Sequence, residues 1–332
     1  MTEATNEPEV LRLNDVYVQF VNKVGTTKAV NGVSFTLRRG HILGVVGESG
    51  SGKSVTALSI MRLVPFPGQI SRGAIHFDGT DLLQKSDDQM RRIRGNRISL
   101  VPQDPVTGLN PTVTIGQQLI EGITAHMKLG KKEVRDLCLA ALRRVGLPDA
   151  ENIMARYAFQ LSGGQAQRVL IAMAMALNPA VLIADEPTSA LDSTVQAQIL
   201  GEIRRLRDTL GTSVVLITHD MGVIAQTADE VAVMYGGTIV EYGSVRDVFR
   251  RPTHPYTYAL LQTLPRLDRP VQHLQAIPGM PPDMVNLPEQ CAFLPRCPKA
   301  RNECRLQFRP PLAIADGEDQ HAVACYNPMI QV

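Results

Sequence analysis

Short apolar runs separated by turns dominate the first hundred residues of the chain. Leu11–Phe20, Ala29–Leu37 and Ile42–Val46 predict β-strands, and the last of these is an almost continuous apolar run. Such a run is typical of a strand that is buried on both faces of a sheet. A helix is predicted over about 53–63, where two prolines follow and prevent its continuation.

Residues 104–165 have a different pattern, in which apolar positions recur with helical spacing. This spacing covers Ile115–Lys128 and Lys132–Val145, and a glycine and a proline soon after the second run indicate its end. No strand pattern occurs in this region. We therefore expect a helical subdomain here.

Strand patterns return after residue 179. The runs Val181–Ala184 and Val214–Thr218 predict two buried strands, with a helix over Gln196–Leu206 between them. Val231–Tyr235 and Thr238–Glu241 flank a Gly-Gly pair, which predicts a hairpin. The alternation of strands and helices predicts an α/β fold.

Composition narrows the class of protein. The chain has 332 residues, of which 44% are hydrophobic and 20% charged, as in ordinary globular proteins. Its net charge of +2 provides no basic surface for nucleic acid and no polybasic membrane anchor. The longest apolar run, Val169–Leu177, is about half as long as a membrane-spanning helix, and the N-terminus lacks the features of a secretory signal. We therefore expect a cytoplasmic chain.

The stretch GESGSGKS matches the phosphate-loop pattern GxxxxGK[ST], and it lies between a predicted buried strand and a predicted helix. Glycines in such a loop let backbone N–H groups surround phosphate oxygens, and the helix N-terminus adds positive partial charge. Lys53 would reach the β- and γ-phosphates, and the Ser54 hydroxyl would bind Mg²⁺. The alternative is a glycine-rich turn with a surface lysine. The candidate ATP and Mg²⁺ ligands are Gly47, Glu48, Ser49, Gly50, Ser51, Gly52, Lys53 and Ser54.

Acidic residues follow the predicted strand that begins at Val181. Asp185 and Glu186 would lie at the carboxyl end of the sheet, where ligands bind in open α/β folds. Asp185 could hold Mg²⁺ through water, and Glu186 could act as the general base that activates water. A simple turn before Pro187 is the alternative. His219 follows the next buried strand, and its imidazole could bond a γ-phosphate oxygen.

The sequence LSGGQ at 161–165 predicts a second anion site. It precedes a helix that we expect to begin near Gln167, with Ser162 as a favourable N-cap. The glycines leave backbone N–H groups bare for an anion. One nucleotide and two phosphate sites in a chain indicate that two subunits pair head to tail.

These motifs resemble those of the ATP-binding cassette (ABC) ATPases, over residues 10 to about 250. The resemblance implies a P-loop NTPase fold with a RecA-like core, an antiparallel β subdomain and a helical subdomain at 104–165. It also implies that the signature sequence LSGGQ contacts the partner subunit's ATP. The residues that the resemblance assigns to this trans contact are Ser162, Gly163, Gly164, Gln165 and, in the D-loop SALD, Asp192. Gln103 resembles the Q-loop glutamine, His219 the switch histidine, and Phe20, rather than Tyr17, the aromatic residue that stacks on adenine.

Three stretches resemble the ATPases of dipeptide and oligopeptide importers: residues 103–111, 191–198 and 254–257 with the proline-rich tail. This resemblance implies a peripheral subunit on the cytoplasmic face of the cell membrane. It implies two permease subunits, which the chain contacts through residues 104–118. It also implies a second ATPase subunit, with which the chain forms a heterodimer, and an extracytoplasmic peptide-binding protein. Nickel, glutathione or another small solute remains an alternative cargo, and a soluble ABC ATPase of translation or DNA repair is an alternative function.

Four of the five cysteines lie near the C-terminus, at Cys291, Cys297, Cys304 and Cys325. Cytoplasmic proteins rarely keep disulfides, so the group indicates a metal site, either Zn²⁺ or an iron–sulfur cluster. Structural zinc sites usually contain two ligands about two to four residues apart. The shortest gap here is five residues, which favours a [4Fe–4S] cluster.

The dipeptide-type ATPases that this tail resembles carry such a cluster, while Zn²⁺ and four free thiols remain the alternatives. We expect residues 10–250 to form the cassette and residues 251–332 a small C-terminal domain. Cys138 lies in a helical pattern and is expected to be a core thiol.

Overall fold

The computed structural model describes residues 8–188, 191–264, 276–314 and 321–329. The β-strands are β1 Glu9–Val21, β2 Thr26–Arg38, β3 Ile42–Val46, β4 Gly68–Phe77, β5 Thr80–Asp81, β6 Ile98–Val101, β7 Val181–Asp185, β8 Ser213–Thr218, β9 Glu230–Tyr235, β10 Thr238–Ser244, β11 Ala313–Ile314 and β12 Ala322–Val323. The α-helices are α1 Lys53–Ile60, α2 Asp87–Ile93, α3 Pro105–Gly108, α4 Ile115–Thr124, α5 Lys131–Arg144, α6 Ala150–Ala155, α7 Gly163–Met175, α8 Ser193–Leu210, α9 Met221–Thr227, α10 Val245–Arg250, α11 Pro255–Gln262 and α12 Asn302–Leu306. Short 3₁₀ helices cover Leu82–Gln84, Ala158–Gln160 and Leu294–Arg296.

The chain forms two compact units that are interleaved along the sequence. The P-loop unit comprises the described residues within 11–36, 42–83 and 218–332, and the helical unit comprises those within 1–10, 37–41 and 84–217. This division differs from the predicted boundary at residue 250. The described residues after 250, which we call the C-terminal segment, pack in the same unit as the phosphate loop. The boundary between cassette and C-terminal domain therefore stays a prediction.

Two sheets organise the P-loop unit. One is antiparallel, with the strand order β2-β1-β4-β5. In the other, β9 lies between β3, to which it is parallel, and β10, to which it is antiparallel, and β12 and β11 continue the sheet beyond β10. Every residue of β3 and β9 is buried, as their apolar sequences require.

The helical unit contains the parallel strands β6, β7 and β8, in that order. Helices α4, α5, α6 and α7 pack against one another, and the described residues between 104 and 165 contain no strand, as predicted. The helical spacing of α5 buries Cys138 and Leu142 completely. Burial raises the pKa of Cys138, which is the core thiol that the pattern predicted.

The predicted strands and helices are confirmed, with differences at their ends. Helix α1 ends at Ile60 rather than near residue 63, since Arg62 has a φ of 50° that no α-helix accommodates. Helix α8 extends beyond its apolar pattern at both ends, because Asp192 caps its start and Gly211, with a φ of 66°, its end. Strands β4 and β6 were not predicted, since β4 contains polar residues and glycines and β6 has four residues.

A buried carboxylate joins β10 to the C-terminal segment of the P-loop unit. Glu241 is fully buried and accepts hydrogen bonds from the backbone N–H groups of Thr253 at 2.7 Å and His254 at 2.8 Å. His321 Nε2 lies 2.7 Å from the same carboxylate. Burial alone would raise the pKa of Glu241, but the hydrogen bonds from His321 and these backbone groups outweigh burial and lower it. The ionised form is therefore the stable one in the folded chain.

We predict that Glu241→Ala lowers the free energy of unfolding by about 3–5 kcal/mol, because it leaves buried donors without an acceptor. Since the folded pKa lies below the unfolded one, the stabilisation by Glu241 is complete above pH 4.5 and declines as the pH falls below that value. Urea unfolding at neutral and acidic pH measures both effects. Asp88→Ala, which removes an exposed partner of Arg91, is the control, with an expected loss below about 1 kcal/mol. Equal losses for the two variants would contradict the prediction.

Candidate nucleotide site

The phosphate loop lies between β3 and α1, and its first and last glycines fit against neighbouring backbone. A Cβ atom on Gly47 would lie 2.1 Å from the carbonyl oxygen of Met234, and one on Gly52 would lie 2.3 Å from that of Ala29. Gly52 also has a φ of 99°, which other residues rarely adopt. The sequence GxxxxGK therefore reflects the lack of space for side chains on either side of the loop.

Lys53, the first residue of α1, extends back along the loop. Its Nζ donates hydrogen bonds to the carbonyl oxygens of Gly47 at 2.8 Å and Glu48 at 2.9 Å, and the residue is 5% exposed. Ser51 is buried beside it, while Ser49 and Gly50 are exposed at the rim of the loop. A buried ammonium group beside a glycine-rich loop at a helix N-terminus is an arrangement that binds phosphate.

Two further predicted residues belong to the P-loop unit. Phe20, in β1, lies opposite Gly68, where a Cβ atom would come within 2.5 Å of its ring. Tyr17 has the guanidinium carbon of Arg72 5.2 Å from its ring centroid. His219 follows β8 directly and is exposed. The roles of Phe20 and His219 stay predictions.

In the helical unit, the structure brings two of the predicted catalytic residues together. Gln103 Nε2 lies 3.3 Å from Glu186 Oε2 and donates a hydrogen bond to it. Glu186 has a φ of 45°, an uncommon conformation for a residue with a long side chain, and its N–H donates to the Ile217 carbonyl at 2.8 Å. The preceding Asp185 is the last residue of β7 and is 7% exposed. Strained backbone of this kind is often found at catalytic sites.

The LSGGQ sequence begins α7, four residues earlier than we predicted. Ser162 is the N-cap, and it forms a capping box with Gln165: Ser162 Oγ accepts from Gln165 N at 3.3 Å, and Gln165 Oε1 accepts from Ser162 N at 3.1 Å. Ser162 and Gly163 are exposed. The helix therefore presents its bare N-terminal N–H groups to solvent.

Asp192 has a clear role within its own chain. Its Oδ1 accepts hydrogen bonds from Thr194 N and Val195 N, both at 3.0 Å, and so caps α8. Two of the other D-loop residues, 189 and 190, lie outside the described residues. The contact of Asp192 with a partner's nucleotide stays a prediction.

The four C-terminal cysteines line one cavity of the P-loop unit, together with His254, Phe293 and Tyr326. Burial raises the pKa of Cys291 and Cys297, and it raises the pKa of Cys325 to about 11. The neighbouring Cys291, Cys297 and Cys304 add to the rise in the pKa of Cys325. Within the described part of the chain, however, no group of three or more His, Cys, Asp or Glu side chains is arranged to hold a metal ion.

Two protein-family descriptions match the chain. "ABC transporter" matches residues 30–189, which include the phosphate loop, the LSGGQ sequence and Glu186. "Oligopeptide/dipeptide transporter, C-terminal region" matches residues 240–304, which include three of the four C-terminal cysteines.

Curated relatives match the chain over almost its whole length. The dipeptide transport ATP-binding protein of Bacillus subtilis is 46% identical over 319 residues, which is 96% of this chain and 94% of the relative. The oligopeptide transport ATP-binding protein of Salmonella typhimurium is 43% identical over 331 residues, or 98% of this chain and 97% of the relative.

Solved structures share the cassette fold. An ATP-binding cassette that was solved as a dimer in a post-hydrolysis state, bound to ADP and Pi, is 28% identical with a TM-score of 0.65, and it covers 71% of this chain and 99% of its own. CbiO1 of Clostridium perfringens, part of an ABC transporter complex, is also 28% identical, with a TM-score of 0.62, and it covers 74% of this chain and 92% of its own. Among the described residues, no helix is long and apolar enough to cross a membrane.

We predict that Gly47→Ala weakens binding of Mg²⁺-ATP by at least about tenfold, because the added methyl group would collide with the Met234 carbonyl and displace the loop. Gly50→Ala is the matched control in the same loop, since a Cβ atom there meets nothing within 4 Å. It should cost about 1 kcal/mol of stability through its left-handed φ and leave the Kd within about threefold. Titration with a fluorescent ATP analogue measures both variants, and similar Kd values for the two would refute this account of the loop.

Proposed function

This chain belongs to the ATP-binding subunits of dipeptide and oligopeptide ABC transporters, and on that premise we propose that it hydrolyses ATP to power the import of dipeptides or oligopeptides. The observation that carries the proposal is the 43–46% identity to dipeptide and oligopeptide transport ATP-binding proteins over almost the whole chain. The match of residues 240–304 to the C-terminal region of that transporter family supports the same branch.

The phosphate loop binds the nucleotide in this proposal. Lys53 contacts the β- and γ-phosphates, and Ser54 would bind Mg²⁺. The loop N–H groups surround the phosphate oxygens, apart from those of Glu48 and Ser51, which donate to the Tyr256 hydroxyl and the Glu48 carbonyl. Lys53 would exchange its hydrogen bonds to the Gly47 and Glu48 carbonyls for bonds to phosphate. The buried position of Lys53 supports this role, because the attraction between its ammonium group and a phosphate is stronger where water is excluded.

Hydrolysis depends on residues at, or just after, the carboxyl ends of β6, β7 and β8. Asp185 holds Mg²⁺ through water, and Glu186 accepts a proton from the attacking water as the general base. Gln103 orients that water, and its hydrogen bond to Glu186 supports this assignment. His219 donates a hydrogen bond to the γ-phosphate and so distinguishes ATP from ADP.

Two ATPase subunits pair head to tail, so that each nucleotide lies between the Lys53 loop of one subunit and the Ser162 loop of the other. The exposed N-terminus of α7 supports this arrangement, because its free N–H groups and helix dipole favour a phosphate from outside the chain. ATP brings the subunits together, and hydrolysis and release separate them. We propose that the pair is a heterodimer of two different ATPase subunits.

The remaining partners follow from the transporter assignment. The ATPase lies peripherally on the cytoplasmic face of the cell membrane and docks on two permease subunits through residues 104–118. An extracytoplasmic peptide-binding protein delivers the peptide. The ATPase does not touch the cargo, so the same machinery could serve nickel, glutathione or another small solute.

The four C-terminal cysteines are proposed to hold a [4Fe–4S] cluster, with Zn²⁺ as the alternative. The chemistry of the donor set fits either, because four thiols line one cavity and a bound cation would favour their thiolate forms, but the described side chains are not arranged to hold a metal ion in this structure. A cluster would supply cross-linking to a proline-rich segment whose helices and strands are short. Its role in this proposal is structural or regulatory.

We predict that Glu186→Gln retains ATP binding but lowers ATP turnover by at least about a hundredfold, because the amide cannot accept the proton of water. The variant should also hold the ATPase dimer closed and abolish uptake of a labelled dipeptide or short oligopeptide by cells that carry it as the sole copy. Glu202→Gln, in α8, is the matched control and should leave turnover and uptake unchanged. Normal turnover in Glu186→Gln would refute the assignment of Glu186 as the general base. Normal peptide uptake in cells that lack the chain would refute the assignment of peptides as the cargo.

We also predict that the protein, purified without oxygen, is brown and contains about four iron and four sulfide ions per chain. Cys304→Ser should lower that iron content, whereas Cys138→Ser, which changes the buried thiol of α5, should leave it unchanged. Iron, sulfide and zinc analyses measure the outcome. A colourless protein with one zinc per chain would refute the iron–sulfur version, and metal-free protein would refute both.

A further inference from the structure

Every polar group of Glu48, the second residue of the phosphate loop, is engaged. Its N–H donates to the hydroxyl oxygen of Tyr256 at 2.9 Å, and its carbonyl accepts from Lys53 Nζ at 2.9 Å. Its carboxylate forms a two-point ion pair with Arg296, with Nη1 to Oε2 at 2.8 Å and Nη2 to Oε1 at 3.2 Å. The loop is thus attached at one residue to the helix that follows it and to the C-terminal segment.

Arg296 is itself held in place by the C-terminal segment. Its Nε donates to the carbonyl of Pro278 at 3.0 Å, and Nη2 donates to the carbonyl of Ile277 at 3.2 Å. The side chain is 6% exposed, so its charge is paired in a largely dry environment. Burial would lower the pKa of Arg296, but the bonds to Glu48 and to the Tyr235 hydroxyl keep it above the usual value.

Three buried aromatic rings pack beside the ion pair of Arg296 and Glu48. Tyr235 and Tyr256 lie 4.5 Å apart between ring centroids, and Phe293 lies 5.2 Å from Tyr235 and 5.4 Å from Tyr256. All three rings are at most 1% exposed. Rigid, fully packed rings allow Arg296 little freedom, so the guanidinium can hold Glu48 in one position.

We propose that Arg296 is a positioning residue for ATP binding, which acts through Glu48 to hold the phosphate loop in its binding conformation. The reason is geometric and electrostatic. Without Arg296, the carboxylate of Glu48 would lose its partner and stand uncompensated in a loop that must accept a polyanion. The loop would then spend part of its time in other conformations, and the apparent affinity for ATP would fall by that fraction. The proposal rests on ATP binding by the phosphate loop, and it does not depend on the cargo.

The proposal is tested by a double-mutant cycle in the full-length chain, with a fluorescent ATP analogue and Mg²⁺ as the probe. Arg296→Ala should raise the Kd by about tenfold, and it should raise KM for ATP while kcat stays within about twofold. In the Glu48→Gln background, Arg296→Ala should cause no further change, because the carboxylate on which Arg296 acts is gone. A rise by the same factor in both backgrounds, or no rise in either, would overturn the proposal.

Two more variants separate positioning from a general loss of stability. Arg296→Lys keeps the charge but not the paired geometry, and we expect a rise in Kd of about threefold, between wild type and Arg296→Ala. If the alanine variant fails to fold, an unchanged Kd in Arg296→Lys overturns the proposal by itself. Lys28→Met is the matched control, since Lys28 also pairs with the C-terminal segment, but through Glu289 rather than through Glu48.

Lys28→Met should leave the Kd unchanged. If the Kd rose as much as in Arg296→Ala, any loosening of the C-terminal segment would weaken ATP binding, and a specific role for Arg296 would be overturned. Failure of the functional proposal gives a different result. A wild-type chain that binds no ATP would refute that proposal, whereas a wild-type chain that binds ATP with additive variants refutes only the positioning role.

Discussion

The close approach of backbone to backbone around the phosphate loop is the constraint on which the candidate site depends. The carbonyl of Met234, in β9, leaves room at residue 47 only for glycine, and the carbonyl of Ala29, in β2, does the same at residue 52. With no side chains on these faces, the loop is short, tightly curved and lined with N–H groups. The ammonium group of Lys53 then lies against the loop, where an incoming phosphate can replace its carbonyl partners.

The C-terminal segment is part of this arrangement through two anionic side chains. Glu241, fully buried in β10, binds the backbone around Thr253 and the ring of His321. Glu48 binds Arg296, which lies 248 positions along the chain. The first contact attaches the segment to the sheet, and the second attaches it to the loop that meets the nucleotide. Residues after 250 therefore contact the phosphate loop directly, although they contain none of the cassette motifs.

The helical unit contains the proposed catalytic residues Gln103 and Glu186 and the LSGGQ helix. Glu186 adopts an uncommon left-handed conformation directly after a buried strand, and this turns its carboxylate toward the amide of Gln103. The LSGGQ helix begins with a capping box, so Ser162 and Gln165 bind each other while the N-terminal N–H groups remain exposed. The capping box is local, and Ser162 was predicted as the N-cap, although α7 begins four residues before the predicted start. The contact between Gln103 and Glu186 joins residues 83 positions apart, and the sequence did not predict it.

Local sequence predicted the chemistry that we propose for each motif, and it predicted most of the strands and helices on which the motifs lie. In motifs such as GESGSGKS and LSGGQ, the groups that would bind phosphate lie within a few consecutive residues. Neighbouring residues are therefore enough to identify these motifs. The sequence did not reveal β4, which contains polar residues and glycines, or β6, which has only four residues. It also did not reveal that α1 ends at Ile60, before the left-handed Arg62. The contacts of Arg296 and Tyr256 with Glu48, and the cavity that four separate cysteines line, are visible only in the folded chain. Such contacts join residues far apart in sequence. Local patterns of apolar and polar residues cannot predict which of these residues meet in the folded chain.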